Sequence, residues 1–208
     1  LLQSGGTVIP WSYEKLDADL SRDVFTFAGD IRAEYAYYIY CFRRDFIKRT
    51  EFFSKKIMND ISNGNENIEL HYKSDIEESS EDISRAEIKE RYKEIFTVSL
   101  RREIGAGVTL FGPHREDMVI YLDEKDSRIF SSQGQQRSIV LSLKMAEGEV
   151  SRELFSEYPV FLFDDVLSEL DDGRREYLMT QLHAKQVIIT SCEKVAADGA
   201  KVIRVNKG

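Results

Sequence analysis

Cysteine, proline and tryptophan are scarce in this chain of 208 residues, which holds two, three and one of them. Cys41 and Cys192 stand far apart without metal-like pairing, which argues against a disulfide scaffold and suits a reducing cytoplasm. Proline occurs at Pro10, Pro113 and Pro159, so none interrupts the stretch from Ser12 to Asn63. No apolar run is long enough to cross a bilayer, and no signal peptide is visible. The pair Gly5-Gly6 lacks the spaced glycines and the Gly-Lys-Ser/Thr ending of a phosphate loop, and no other stretch supplies one. The chain starts at Leu1 without a methionine, so its true beginning is expected to lie upstream.

Acidic residues outnumber basic ones, 37 to 29, for a formal net charge of −8. The bulk electrostatics are therefore unfavourable for nucleic acid. The length allows one substantial core, or one domain with an appendage. Charge is locally uneven. Arg43, Arg44, Lys48, Arg49, Lys55 and Lys56 lie close together, interleaved with Phe42, Phe46, Phe52 and Phe53. Two readings stay open: a solvated basic face of an amphipathic helix, or a patch that touches a DNA backbone.

From Ser12 to Asn63 the pattern is helical almost throughout. Leu16, Leu20, Phe25, Ala28, Ile31, Tyr35, Tyr38 and Ile39 fall near a helical repeat, followed by Phe42, Phe46, Ile47, Phe53, Ile57 and Ile61. The tyrosines at this spacing read as core rather than as a base-stacking platform. Asn63-Gly64-Asn65 is a turn, and Ile68 to Lys73 alternates as a short strand. Asp75 to Asp82 reads as a solvated loop. Ser84 to Ile104 resumes as helix, opened by the capping-box sequence Ser84-Arg85-Ala86-Glu87 and closed near Gly105 and Gly107, with Ile88, Tyr92, Ile95 and Phe96 on its apolar face. Val108 to Phe130 reads as strand, turn, strand, with Met118 to Leu122 and Arg128 to Phe130 flanking a hairpin tip at Asp123 to Ser127. Within it Gly112-Pro113-His114-Arg115 cannot continue a helix. His114 and Arg115 form either a hydrogen-bonded corner or, through the planar donor fork of Arg115, a nucleotide or DNA contact.

The chemistry concentrates in the last third. The polar turn Ser131-Ser132-Gln133-Gly134-Gln135-Gln136-Arg137 runs into a helix whose apolar face is Ile139, Leu143, Ala146, Val150 and Leu154. The first N–H groups of such a helix point outward at the positive end of its dipole, where anions bind. After the Tyr158-Pro159 break, Val160 to Phe163 reads as a fully buried strand ending in Asp164-Asp165, the strand end at which α/β sheets hold ligands. Ser168 to Asp171 caps the next helix, which carries Leu170, Tyr177, Leu178 and Leu182. Gln186 to Thr190 and Val202 to Val205 read as further strands. Strand, helix, strand with short links implies a parallel pair. An anion-binding helix start beside metal-ready carboxylates suggests nucleotide chemistry.

These segments have a family resemblance. Ser132-Gln133-Gly134-Gln135 resembles the signature motif of ABC-type ATPases. Phe161-Leu162-Phe163-Asp164-Asp165 resembles a Walker B strand, and Ser168-Glu169-Leu170-Asp171 the loop after it. With Gly112-Pro113-His114-Arg115, the order and wording are similar to the RecF family of DNA repair proteins, closely from Leu110 to Ser191 and more loosely upstream, at Trp11 and Gly64 to Lys73. The resemblance implies an α/β fold: the carboxyl-terminal part of an ABC-type head, parallel-rich with helices, over 108–208, and a helical arm with a short strand near 68–73 over 1–107. It implies ATP and Mg²⁺ as cofactors, with Asp164 toward the metal and Asp165 toward the attacking water. Ser132, Gln133, Gly134 and Gln135 would meet ATP held by another copy, with Ser168 and Asp171 at the dimer seam. Implied partners are a homodimer mate formed with ATP, gapped or junction DNA, and the repair proteins RecO and RecR. The chain departs from the superfamily in three ways. Position 165 is Asp where Glu is usual, the switch position near Ser191-Cys192 has no histidine, and no Walker A loop is present. Alone, these residues are expected to lack ATPase activity.

Overall fold

The computed structural model describes residues 18–76, 84–183, 185–192 and 201–205, with side chains from residue 27 onward and without that of Glu169. The readings placed on Trp11, Leu16, Gly5-Gly6 and most of the Asp75–Asp82 loop, and on the side chains of Leu20 and Phe25, lie outside that description. In chain order the elements are α1 (Ala18–Ile61), β1 (Ile68–Lys73), α2 (Arg85–Ala106), β2 (Asp117–Leu122), β3 (Lys125–Asp126), a short α3 (Ser127–Phe130), α4 (Gln133–Phe155), β4 (Phe161–Asp164), a 3-10 turn (Val166–Glu169), α5 (Asp172–Leu182) and β5 (Val187–Thr190). The fold is α/β, with a parallel pair at its chemical end.

Contacts group the described residues into two units that do not follow a division at 107/108. The first draws on Leu1–Phe42 and Ser74–Asp117, the second on Arg43–Lys73 and Met118–Gly208. The 44-residue helix α1, free of proline, contributes to both.

In the first unit, α2 starts at Ser84, whose hydroxyl accepts the Glu87 N–H at 3.3 Å, and ends at Gly107, left-handed at φ 66°. Its residues Ile88, Tyr92 and Phe96 are buried with Ala33, Ala36, Tyr37 and Tyr40 of α1. Tyr40 meets Tyr92 edge-on with centroids 6.3 Å apart. The core face of α1 is therefore not the one its aromatic spacing suggests. Tyr35 and Tyr38 are 66% and 58% exposed, and Ile31 and Ile39 are also exposed. The helix is apolar on two neighbouring faces, and only the Tyr37–Tyr40 face is covered among the described residues.

Glu103 organises the far end of α2. Arg32 donates to it at 2.8 Å and lies 4.0 Å over the Phe96 ring, and the N–H groups of Leu110 and Phe111 donate to the same carboxylate at 2.8 and 3.3 Å. Those bonds take up the backbone of 108–116, which forms no strand. Gly112 likewise donates to Asp75 at 2.6 Å; the strand expected over Met118 to Leu122 is formed, as β2. His114 and Arg115 are exposed and bond to Thr109.

In the second unit β1, β2 and β3 form one sheet and β4 and β5 another. The hairpin is tighter than expected. Asp123 and Glu124 both have positive φ, 49° and 64°, the signature of a two-residue primed turn. Arg128 to Phe130 is then helical rather than a returning strand. β4 pairs with β5 in parallel, Phe161 to Val187 through Asp164 to Thr190. Neither strand is fully buried. Phe161 and Phe163 face the core, whereas Leu162 and Ile188 are 72% and 57% exposed. Only one face of the pair is covered among the described residues, so burial alternates with the pleat. Residues 201–205 are described without strand structure, so the expected last strand is not formed there.

The core of this unit packs α4 on β4. Leu141, Met145 and Ala146 meet Phe161, Phe163, Leu178 and Leu182, together with Ile57 and Ile61 of α1. Gly148 permits the approach, because a Cβ there would lie 2.3 Å from Cζ of Phe161. The apolar face expected for α4 holds for Ile139, Ala146 and Val150, but Leu154 is half exposed.

Two outcomes are expected. Gly148→Ala should cost about 1–3 kcal/mol in chemical denaturation, the range for overpacking, while Gly105→Ala, with open space around its Cβ position, should not destabilise. Burial pushes the Glu103 carboxyl up, but Arg32 and the Leu110 and Phe111 N–H groups outweigh it and hold the group below its ordinary value. Its contribution to stability is thus present above the usual glutamate pKa and lost as pH falls through the lowered folded value. The unfolding midpoint should fall across that acidic window, and Glu103→Gln should flatten the fall.

Candidate nucleotide site

The helix α4 begins with a reciprocal cap. The Ser132 hydroxyl accepts the Gln135 N–H at 3.3 Å, and the Gln135 side chain accepts the Ser132 N–H at 2.9 Å. This arrangement satisfies the third N–H of the helix and leaves those of Gln133 and Gly134, at the first two helical positions, directed out along the axis. Ser138 bonds back to the Gly134 carbonyl at 3.1 Å. Gly134 has a neighbour that the sequence does not announce: Nη1 of Arg174 lies 3.8 Å from where its Cβ would be. A helix N-terminus with a small residue and a guanidinium alongside suits a phosphate.

Arg174 also ties this turn to the loop after the acids. It pairs with the Asp171 carboxylate, and the same carboxylate caps α5 by accepting the Arg174 N–H at 2.9 Å. These backbone and side-chain bonds, partly opposed by burial, hold the Asp171 carboxyl below the usual range. Ser168 donates to the Asp165 carbonyl at 2.8 Å, closing the 3-10 turn between them.

The acids leave the sheet in different directions. Asp164 is the last residue of β4 and is exposed. Asp165 takes a left-handed conformation, φ 50°, which turns the chain out of the strand. Thr190, in register beside Asp164, holds both: its hydroxyl donates to the Asp164 carboxylate and accepts the Asp165 N–H at 3.1 Å. One oxygen of Asp165 is buried and has no partner among the described residues.

That donor set fits Mg²⁺ of the nucleotide-bound kind. Such an ion keeps waters and takes one or two carboxylates plus phosphate oxygens. An exposed acid at a strand end and a neighbour with an unpartnered oxygen meet that need. Among the described residues no cluster of three acids, histidines or cysteines could hold a metal without such help.

The remaining candidates sit elsewhere. His114 and Arg115 belong to the first unit and the turn and acids to the second. Of the basic cluster on α1, Arg44 pairs with Asp45, Arg49 with Glu153 at 2.8 Å, and Lys55 with Glu51 at 2.8 Å. Lys48 and Lys56 are exposed. At 100° per residue these cations spread around much of the helix instead of forming one stripe.

No family model matches the chain. Among curated proteins, RecF of Staphylococcus carnosus is 37% identical over 182 residues, which is 85% of this chain and 49% of that protein. RecF of Bacillus cereus is 40% identical over 172 residues, 80% of this chain and 46% of that protein. The protein it resembles is RecF. A solved structure of the recombination mediator RecF with ATP superposes with a TM-score of 0.75 at 33% identity, covering 89% of this chain and 48% of that one. The chain thus spans about half the length of the curated RecF relatives it matches. The α/β fold and the RecF resemblance read from the motifs both hold. Thr190 and Arg174 were not named from the sequence, although the spacing of Arg174 three residues after Asp171 on a helix was a usable signal.

Thr190→Val should remove both hydroxyl bonds at constant shape. The expected loss is about 1–3 kcal/mol in denaturant unfolding, whereas Thr190→Ser, which retains the hydroxyl, should lose little; the Asp165 N–H keeps its bond to the Thr190 carbonyl at 3.2 Å in both variants.

Proposed function

We propose that these residues form the phosphate-facing and acidic part of a RecF-like DNA repair and recombination ATPase, completed by ATP bound to a second copy. The observation that carries this reading is the pairing of a capped glycine turn at the start of α4 with two acids at the end of a parallel strand, both braced by side chains of the same unit. Ser132, Gln133, Gly134 and Gln135 would face the terminal phosphate of the partner's nucleotide, Gly134 by close backbone approach and Ser132 at the rim. ATP, when bound between two copies, supplies the charge that draws these N–H groups together. Ser168 and Asp171 would lie at the seam.

Asp164 would take Mg²⁺, with Thr190 fixing its carboxylate. Asp165 would orient or deprotonate the attacking water through its unpartnered oxygen. A carboxylate one methylene shorter than Glu reaches less far, so slow turnover and a switch-like cycle follow. ATP would close two heads and hydrolysis would release them. The solved relatives are RecF with ATP or an ATP analogue, of the RecFOR pathway, which supports ATP for this chain and RecO- and RecR-type partners. DNA at gaps or junctions, and aid to recombinase loading, follow from the same kinship. The exposed Lys48 and Lys56, Arg43, and Arg44, Arg49 and Lys55 after exchange of their acidic neighbours, are the candidate backbone contacts. Arg115 with His114 holds a corner in this reading.

In the full-length polypeptide, Asp165→Asn should lower DNA-stimulated ATP turnover by about 100-fold or more and leave ATP binding intact. Asparagine tolerates the left-handed backbone at this position, so a folding defect is not expected. Unchanged turnover would remove Asp165 from the chemistry, and a protein that never turns over ATP in any form would favour a scaffold of the SMC-like type.

A further inference from the structure

The cap that shapes the phosphate-facing turn is itself held from outside. Nε2 of Gln135 donates to Oε1 of Glu66 at 3.0 Å, while Oε1 of Gln135 accepts the Ser132 N–H. Glu66 lies in the turn after α1, where its own N–H donates to the Ser62 hydroxyl at 3.0 Å and the Ser62 N–H donates to the Met58 carbonyl at 2.9 Å. A continuous set of bonds therefore runs from the last turn of α1 through Glu66 and Gln135 to Ser132.

A glutamine amide has a donor end and an acceptor end of nearly equal size. The cap needs the acceptor end at Ser132, since a reversed amide would set its NH₂ against the Ser132 N–H. An ionised carboxylate only accepts, so Glu66 selects the orientation by taking the NH₂. Stability gives no comparable reason for a carboxylate here. Its other oxygen, Oε2, is buried and unpartnered among the described residues, a costly state for a carboxylate. Glu66 also lines a polar cleft of about 690 Å³ together with Asp171 and Arg174, so it borders both the turn and the loop after the acids.

We propose that Glu66 is a positioning residue for the ATP-facing turn, setting the Gln135 amide and through it Ser132 and the open N–H groups beside it, and that it couples the end of the α1 helix to contact with nucleotide on a second copy. The coupling half of this statement rests on the function proposed above; the positioning half does not.

The test compares Glu66→Ala, Glu66→Gln and Gln135→Ala in the full-length polypeptide, with amide hydrogen exchange over Ser132 to Gln136 and ATP-dependent dimerisation by light scattering as readouts. Glu66→Ala should speed exchange in that segment and raise the ATP concentration needed for dimerisation about tenfold, as expected for one lost hydrogen bond. ATP binding to the monomer should not change. Glu66→Gln, whose amide can accept from Nε2 but can also donate and so no longer excludes the reversed Gln135 amide, should restore both readouts only in part, and Glu66→Ala with Gln135→Ala should be no worse than Gln135→Ala alone. Unchanged exchange in Glu66→Ala, or additive losses in the double variant, would overturn the proposal. If exchange rises while Gly134→Ala leaves dimerisation untouched or the wild type never dimerises with ATP, the reading of the turn as an ATP contact falls, and Glu66 keeps only its hold on the turn.

Discussion

Close approach of helix α4 to strand β4 is the constraint on which the second unit depends. The Phe161 ring fills the space that a side chain at Gly148 would need, and Phe161 and Phe163 lie nearly parallel, 9° apart with centroids at 6.0 Å. This contact sets the helix against the strand along their lengths. The start of α4 carries the open N–H groups and the end of β4 carries the acids, so the packing of two aromatic rings on a glycine fixes the frame in which both can act. Buried Ser138 and Ser142 on the same helix meet carbonyls of their own turns, which lets small polar residues line the interface without unpaired groups.

Around that frame the polar groups work in relays rather than in isolated pairs. Thr190 joins two acids adjacent in sequence; Arg174 joins the loop acid Asp171 to the glycine turn; Glu66 joins the end of α1 to the cap. Each of these three residues touches groups from more than one segment. The arrangement also explains why the exposed pairs on α1 matter little to the fold. Arg49 with Glu153 and Lys55 with Glu51 are half exposed, and pairs of that kind contribute about 0–1 kcal/mol.

Much of this was legible in the residues because the signals were local. The cap at Ser84 and Glu87 is a four-residue pattern, the strand at Ile68–Lys73 alternates cleanly, and apolar residues before two acids mark β4. What could not be read depends on distant partners. The N–H groups of Leu110 and Phe111 go to Glu103 and that of Gly112 to Asp75, and no local pattern reveals that. Tyr35 and Tyr38 shared a helical stripe with core residues, and periodicity alone could not say which of two apolar faces α2 would cover. Uniformly apolar runs such as Phe161-Leu162-Phe163 read as fully buried strands; coverage of one side only makes the burial alternate. Glu66 and Gln135 lie far apart in the chain, so their bond leaves no trace in any short window.

The left-handed backbone at Asp165 bears on the identity of the acid there. Aspartate and asparagine enter this region more readily than longer side chains, because a short polar group can bond to its own neighbourhood. A chain that exits the strand by this bend is therefore biased toward the shorter acid. Lengthening it by a methylene would extend its reach only by placing a less tolerant residue at the bend, so the reach of the carboxylate and the geometry of the exit are traded against each other at one residue.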